Sequence, residues 1–243
     1  MINRNTLPIR KLELFEGRGL GTLLGILAVF VPLVVVGIVG ESMGTESAVG
    51  YVVITLAYVL SIAIATVVLK SWGLSWKSVG LARPKSWRST ILWAIGATLA
   101  SLLILIALQI VVQLLAGPAV APSDQSEYDT ISGNLPLLLT WLAAAWTTVA
   151  FGEEMLFRAF LINGLARPFE WTRKTGALAL LGSSVAFGMA HYSWGWMGVV
   201  ETVFFGLLLG AAYLRSGRNL WVTIIAHGLA NSLKFMVVFF GVV

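Results

Sequence analysis

Two adjacent carboxylates and an arginine, Glu153, Glu154 and Arg158, stand in an apolar segment that runs from about Leu135 to Leu165. If that segment crosses a bilayer, each charge costs roughly 2.5–3.5 kcal/mol on an insertion scale, so charges kept there point to a use. Glu154 and Arg158 are spaced i, i+4 and can pair on one helix face. Glu153 is turned about 100° from its neighbour. One carboxylate is then held by a cation, and the other is left to act as a base.

The chain has two histidines, and both fall in apolar segments. His191 closes Phe187-Gly-Met-Ala-His191, and His227 opens His227-Gly-Leu-Ala-Asn231. Residues four apart share a helix face. A lone histidine on an apolar helix is ordinarily a satisfied packing residue. Two of them, with an acidic pair and an asparagine one turn from a histidine, make a set that packing does not explain.

The elements that must position these groups are membrane spans. Hydrophobic residues make up 58% of the 243 and charged residues 11%, against about 25% charged in a soluble domain. Mean hydropathy is +0.89. The fold class expected is all-α, a polytopic transmembrane helix bundle of about seven spans. They lie near Leu20–Gly40, Val49–Leu69, Thr90–Leu115, 135–165, Thr175–Tyr192, Met197–Leu214 and Leu220–Phe240. The first reads as a retained span rather than a signal peptide. Gly117-Pro118 ends the third. The Trp-dotted basic stretch 70–89 reads as an interfacial connector, and a surface or re-entrant helix there would make an eighth element. The whole chain, 1–243, reads as one integral membrane domain, with N-terminal spans in 20–115 and a catalytic half in 135–240.

Loop charges orient the bundle. Lys and Arg number four in the N-terminal tail, which includes Arg4, then none, five, none, three, none and two in successive loops. Glu41 and Glu46 occupy the first loop. This alternation predicts a cytoplasmic N-terminus and an outside C-terminus. The net charge of +5 is loop charge and not a nucleic-acid surface. The absence of cysteine excludes a thiol nucleophile and a thiolate metal site.

Glu-Glu-x-x-x-Arg, Phe-x-x-x-His and His-x-x-x-Asn, in that order on three late spans, resemble the CPBP family. These are the CAAX prenyl endopeptidases and bacteriocin-processing or self-immunity proteins, also called Abi proteins or type II CAAX proteases. The resemblance covers roughly residues 135–235. It implies an intramembrane endopeptidase acting on a membrane-associated protein or peptide. The substrate would be CAAX-type and prenylated, or leader- or bacteriocin-like. The setting is membrane lipid, and the short loops suit a prokaryotic plasma membrane, where prenylated substrates are less natural.

Peptide hydrolysis needs an activated water, a base for its proton and donors for the oxyanion. Glu153 is the credible base, and His191 could share the water with it. His227 and Asn231 could both donate to the oxyanion. The resemblance implies the same division, with Glu154 and Arg158 as a supporting pair and Phe187 packed under His191. A zinc site of Glu153, His191 and His227 stays open, although no His-Glu-x-x-His is present and each ligand would come from a different helix. A metal-independent hydrolase is the favoured form, with no cofactor.

Two other functions remain compatible: a non-catalytic membrane adaptor, regulatory or immunity protein of the same fold, and a proton-coupled transporter. At 1.5 Å per residue Glu153 lies about 17 Å from Gly164, and His227 about 13 Å from Arg218, depths that suit a cavity entered from the cytoplasmic end. His191 lies about 25 Å from Lys174. That is too deep for a straight fifth span, unless the helix starts late, tilts, or breaks near Gly182-Ser183-Ser184. Glu201 reads as an interfacial or cavity-lining carboxylate. Lys234, two turns past His227, could snorkel or pair with a carboxylate. Gly206-x-x-x-Gly210 reads as close packing inside the bundle. The expectation that carries the rest is that Glu153, His191, His227 and Asn231 meet around one hydrated pocket.

Overall fold

The computed structural model describes residues 9–43, 48–117 and 120–242. Arg4, Glu46 and Pro118 lie outside the described residues. Seven helices account for the bundle: α1 (Ile9–Met43), α2 (Ala48–Ser71), α3 (Trp87–Ala116), α4 (Leu135–Ala166), α5 (Arg173–Met189), α6 (Gly195–Arg215) and α7 (Leu220–Phe239). Single 3₁₀ turns at Ser126–Ile131 and Tyr192–Trp194 shape two connections. Among the described residues there is no strand. Six of the helices are long and apolar enough to cross a membrane. The fifth expected span, α5, has 17 residues, about 25 Å, somewhat short of the ~30 Å hydrocarbon core.

Local sequence sets the boundaries. Ser86, Asn134 and Asn219 each accept a backbone N–H of the helix they precede, so α3, α4 and α7 start with a capped donor. Thr172 and Thr175 cap α5 reciprocally. The third span ends at Gly117, whose φ of 58° only glycine adopts freely. The stretch 70–89 is corrected in one respect: no surface or re-entrant helix forms there. After Ser71 the chain runs through turns to Trp87. Its tryptophans dock inward, Trp72 stacking on Phe160 at 5.3 Å and Trp76 Nε1 donating to Thr66 Oγ1 at 2.8 Å. Gly80 meets the Arg218 carbonyl so closely that no side chain would fit, and Leu220 N–H donates to the Gly80 carbonyl.

The second half of α4 is the axis of the bundle. Every residue from 152 to 164 is buried, as expected of a helix with neighbours on all sides. Its middle, Ala145–Leu161, is wound as a wider π-helix with i→i+5 hydrogen bonds. It packs against α2, α5 and α7, while α3 lies along α6 and α7. Small residues permit these approaches. A Cβ on Gly152 would meet the Tyr58 ring at 3.0 Å, and one on Gly188 would collide with Val203 and lie 2.8 Å from the Val199 carbonyl. Gly206 and Gly210 face Ser184 and Leu180, so this pair does serve helix packing, between α5 and α6.

Candidate active site

Glu153 and Glu154 leave the axis of α4 in different directions, and each finds different partners. The Tyr58 hydroxyl, on α2, donates to Glu153 Oε1 at 2.9 Å. Glu153 Oε2 has no hydrogen-bond partner among the described residues, although the side chain is 8% exposed. A carboxylate anchored through one oxygen and unpartnered at the other suits proton transfer.

Glu154 is fully buried, and its Oε1 meets two cation-capable groups. Arg158 Nη1 lies at 2.9 Å and His227 Nδ1 at 2.8 Å. The arginine contact is ionic and not an aligned hydrogen bond, since both Arg158 terminal nitrogens lack a hydrogen-bond partner among the described residues. The guanidinium instead lies over the Phe187 ring, 4.3 Å from its centroid. Glu154 thus does more than balance Arg158: it orients the His227 ring. A carboxylate on Nδ1 fixes that nitrogen as the donor, which leaves Nε2 facing Glu153 Oε2 at 3.9 Å, too far for a direct hydrogen bond.

His191 is not inside a span. α5 runs unbroken through Gly182, Ser183 and Ser184 and ends at Met189, so His191 sits in the turn beyond it. Ser183 Oγ donates to the Phe157 carbonyl at 2.6 Å and ties this helix to α4. His191 Nδ1 lies 2.8 Å from the Phe187 carbonyl, the one acceptor there, so Nδ1 carries the proton and Nε2 keeps its lone pair. The ring packs 4.7 Å from both Phe187 and Trp194.

A cavity of about 150 Å³ joins these groups: Glu153, His191, His227 and Asn231 all line it. It continues past them to Tyr128, Trp194 and Lys234. Those residues belong to the bundle end opposite the basic loops at 167–174 and 215–218. His191 is far from Lys174 because it lies beyond the other end of α5. A larger groove of about 380 Å³ between α3 and α6 is apolar apart from Arg215 and holds none of these residues.

Glu201 is not in the cavity wall. Gln109 Nε2 donates to its Oε1 at 3.1 Å and Ser123 Oγ to its Oε2 at 2.8 Å, which clamps the loop before α4 onto α3 and α6. Lys234 makes no ion pair with an acid among the described residues. Its ammonium sits 3.6 Å above the centre of the Tyr128 ring. Tyr58 was missed in the sequence, since one tyrosine in an early span carries no signal. Among the described residues no three His, Asp or Glu side chains converge as metal ligands. His227 Nδ1 is engaged by Glu154 and His191 Nδ1 by a carbonyl, which leaves the Nε2 atom of each ring as the one that can face a water or a ligand in the cavity.

Residues 135–233 match the family model described as type II CAAX prenyl endopeptidase Rce1-like. The match opens with α4 and closes just past Asn231, so it holds all three motifs. No curated protein and no solved structure matches the chain.

Proposed function

We infer that the chain, whose residues 135–233 match the Rce1-like model of type II CAAX prenyl endopeptidases, is an intramembrane endopeptidase whose catalytic groups are Glu153, His191, His227 and Asn231. The observation that carries this reading is the common cavity, which brings four polar side chains from three helical regions to one place.

Glu153, fixed by Tyr58, takes a proton from a water that His191 Nε2 helps to align. The hydroxide adds to the scissile carbonyl, and a C–O bond forms as the carbonyl becomes an oxyanion. Asn231 donates an amide N–H to that oxygen. His227 Nε2 donates as well when the ring carries both protons, a state that the Glu154 carboxylate at 2.8 Å accommodates. Collapse breaks the C–N bond, and Glu153 returns its proton to the leaving amine. The water is activated by carboxylate and imidazole alone, with no metal step. Removing one oxyanion donor costs about 10²- to 10³-fold in kcat. Peptides from membranes and medium of cells carrying wild type or Asn231→Ala should therefore differ, with a small set of precursors left uncleaved in the variant. An unchanged peptide set beside a stable variant would favour the adaptor reading.

The positive-inside pattern places the basic loops in the cytoplasm, with the N-terminus, and the end formed by 123–131 and 191–194 outside. The cavity then faces outward. Its substrates are peptide segments on the outer side of a prokaryotic plasma membrane, leader- or bacteriocin-like, and not cytoplasmic prenylated chains. The chain contains no cysteine, so a single cysteine at Gln125 reports this directly. An impermeant maleimide should label it in intact cells; labelling only after lysis would reverse the orientation.

A further inference from the structure

The groove between α3 and α6 lies apart from the water-activating groups, and at about 380 Å³ it has the size of a small-ligand pocket. Its α6 wall is Leu208, Ala211, Ala212 and Arg215, spaced i, i+3, i+4, i+7 on one helix face. Gly96 and Ala100, one turn apart, form the facing floor on α3. A Cβ on Gly96 would meet nothing within 4 Å, so nothing from a neighbouring helix fills the space beside it. Arg215 stands at the mouth. It is the last residue of α6 and begins the basic loop 215–218. It is exposed, and its guanidinium makes no ion pair, hydrogen bond or ring contact among the described residues. Trp93, also in the wall, is 43% exposed, as suits a ring at headgroup level.

A free cation at the interface, above an apolar slot, fits a molecule with an anion at one end and a hydrocarbon chain at the other. From Arg215 to Leu208 is seven residues, about 10 Å along α6. The slot therefore drops about 10 Å from the loop level into the hydrocarbon, the course of an acyl chain below its headgroup. Guanidinium donors match phosphate oxygens in pairs, and basic pockets between spans suit anionic headgroups. A second copy is a poorer occupant. In the same membrane it brings its own basic loops to the same level, like charge against like charge. Free phosphate leaves the slot unused. We propose that the α3–α6 groove is a binding site for an anionic phospholipid of the leaflet beside the basic loops. Its phosphate sits on Arg215 and one acyl chain runs along Gly96, Ala100 and Ala211. A chain held there joins α3 to α6 from the lipid side, whether or not a peptide is being cleaved.

Native mass spectrometry of the full-length protein in detergent tests this, with phosphatidylglycerol and phosphatidylcholine of identical chains as probes. Phosphatidylglycerol should bind about five- to tenfold tighter, the scale of one cation beside an anionic headgroup. Arg215→Gln should bring the two lipids together without moving the unfolding midpoint, since the guanidinium has no partner to lose among the described residues. Arg173→Gln removes the same charge at the same end of the bundle but outside the groove, and should leave the preference intact. Gly96→Leu, which fills the slot, should weaken phosphatidylglycerol about fivefold or more while Arg215 remains, because the chain loses its apolar contacts. Millimolar inorganic phosphate should not displace the lipid. Equal binding of the two lipids, or a preference that survives Arg215→Gln, overturns the proposal. An equal loss in Arg173→Gln does so too, since it means diffuse surface charge. Undiminished binding to Gly96→Leu, or displacement by phosphate, reduces the site to a headgroup contact and contradicts it. A lipid-free dimer that disappears in Gly96→Leu gives the groove to a second copy instead.

Discussion

Glu153→Gln should abolish peptide cleavage while leaving the bundle intact. The amide keeps the shape of the carboxylate and its oxygen can still accept the Tyr58 hydroxyl, now 2.9 Å from Oε1. It cannot take a proton from water. Loss of a positioned general base costs about 10²- to 10⁴-fold, equivalent to roughly 3–5 kcal/mol of barrier. Folding should suffer little, because the second carboxylate oxygen has no hydrogen-bond partner among the described residues to lose. The measurement is kcat/KM of purified protein in liposomes on a precursor identified from the peptide comparison, alongside the thermal unfolding midpoint. Full activity in the variant would move the base to another residue.

Arg158→Met should have the largest effect on stability. Glu154 is 0% exposed and Arg158 1% exposed, so the pair sits beyond the reach of solvent screening. Removing the cation leaves a buried carboxylate faced by the His227 ring and the Thr223 hydroxyl, with no full positive charge to balance it. Breaking one partner of a buried ion pair costs about 3–5 kcal/mol. The guanidinium over Phe187 is lost too, and with it the layer on which His191 rests. Replacing both charges, Glu154→Gln with Arg158→Met, should recover much of that loss, since no uncompensated charge remains. Denaturant midpoints in detergent decide it: a single variant as stable as wild type would show that the pair is not what holds α4 in place.

The site was legible where its chemistry clashed with its surroundings. Charges and imidazoles among Leu, Ala and Phe stand out because hydrocarbon penalises them, and the i, i+4 spacings named their faces in advance. Glu154–Arg158 and Phe187–His191 contacts follow from that spacing alone. What one helix face cannot reveal is the partner on another helix. The Tyr58 bond to Glu153 and the Glu154 bond to His227 join residues 95 and 73 positions apart. Gly152 and Gly228 marked two of these approaches, beside Tyr58 and Trp146, but a glycine says that something comes close and not what. The bundle itself was read correctly from hydropathy. The short α5 and the turns of 72–86 were harder, because tertiary docking of Trp72 and Trp76 decides that connector and periodicity does not.

Glu153 and His191 act together on one water. Groups that act as a unit lose rate non-additively: once one is gone, removing the other costs little more. The most direct measurement is kcat/KM for Glu153→Gln, His191→Ala and the double variant, in the same liposomes and on the same peptide. The prediction is a double variant no slower than Glu153→Gln alone, within about threefold. Losses that multiply would mean two independent contributions, and the shared water between α4 and the turn after α5 would have to be given up.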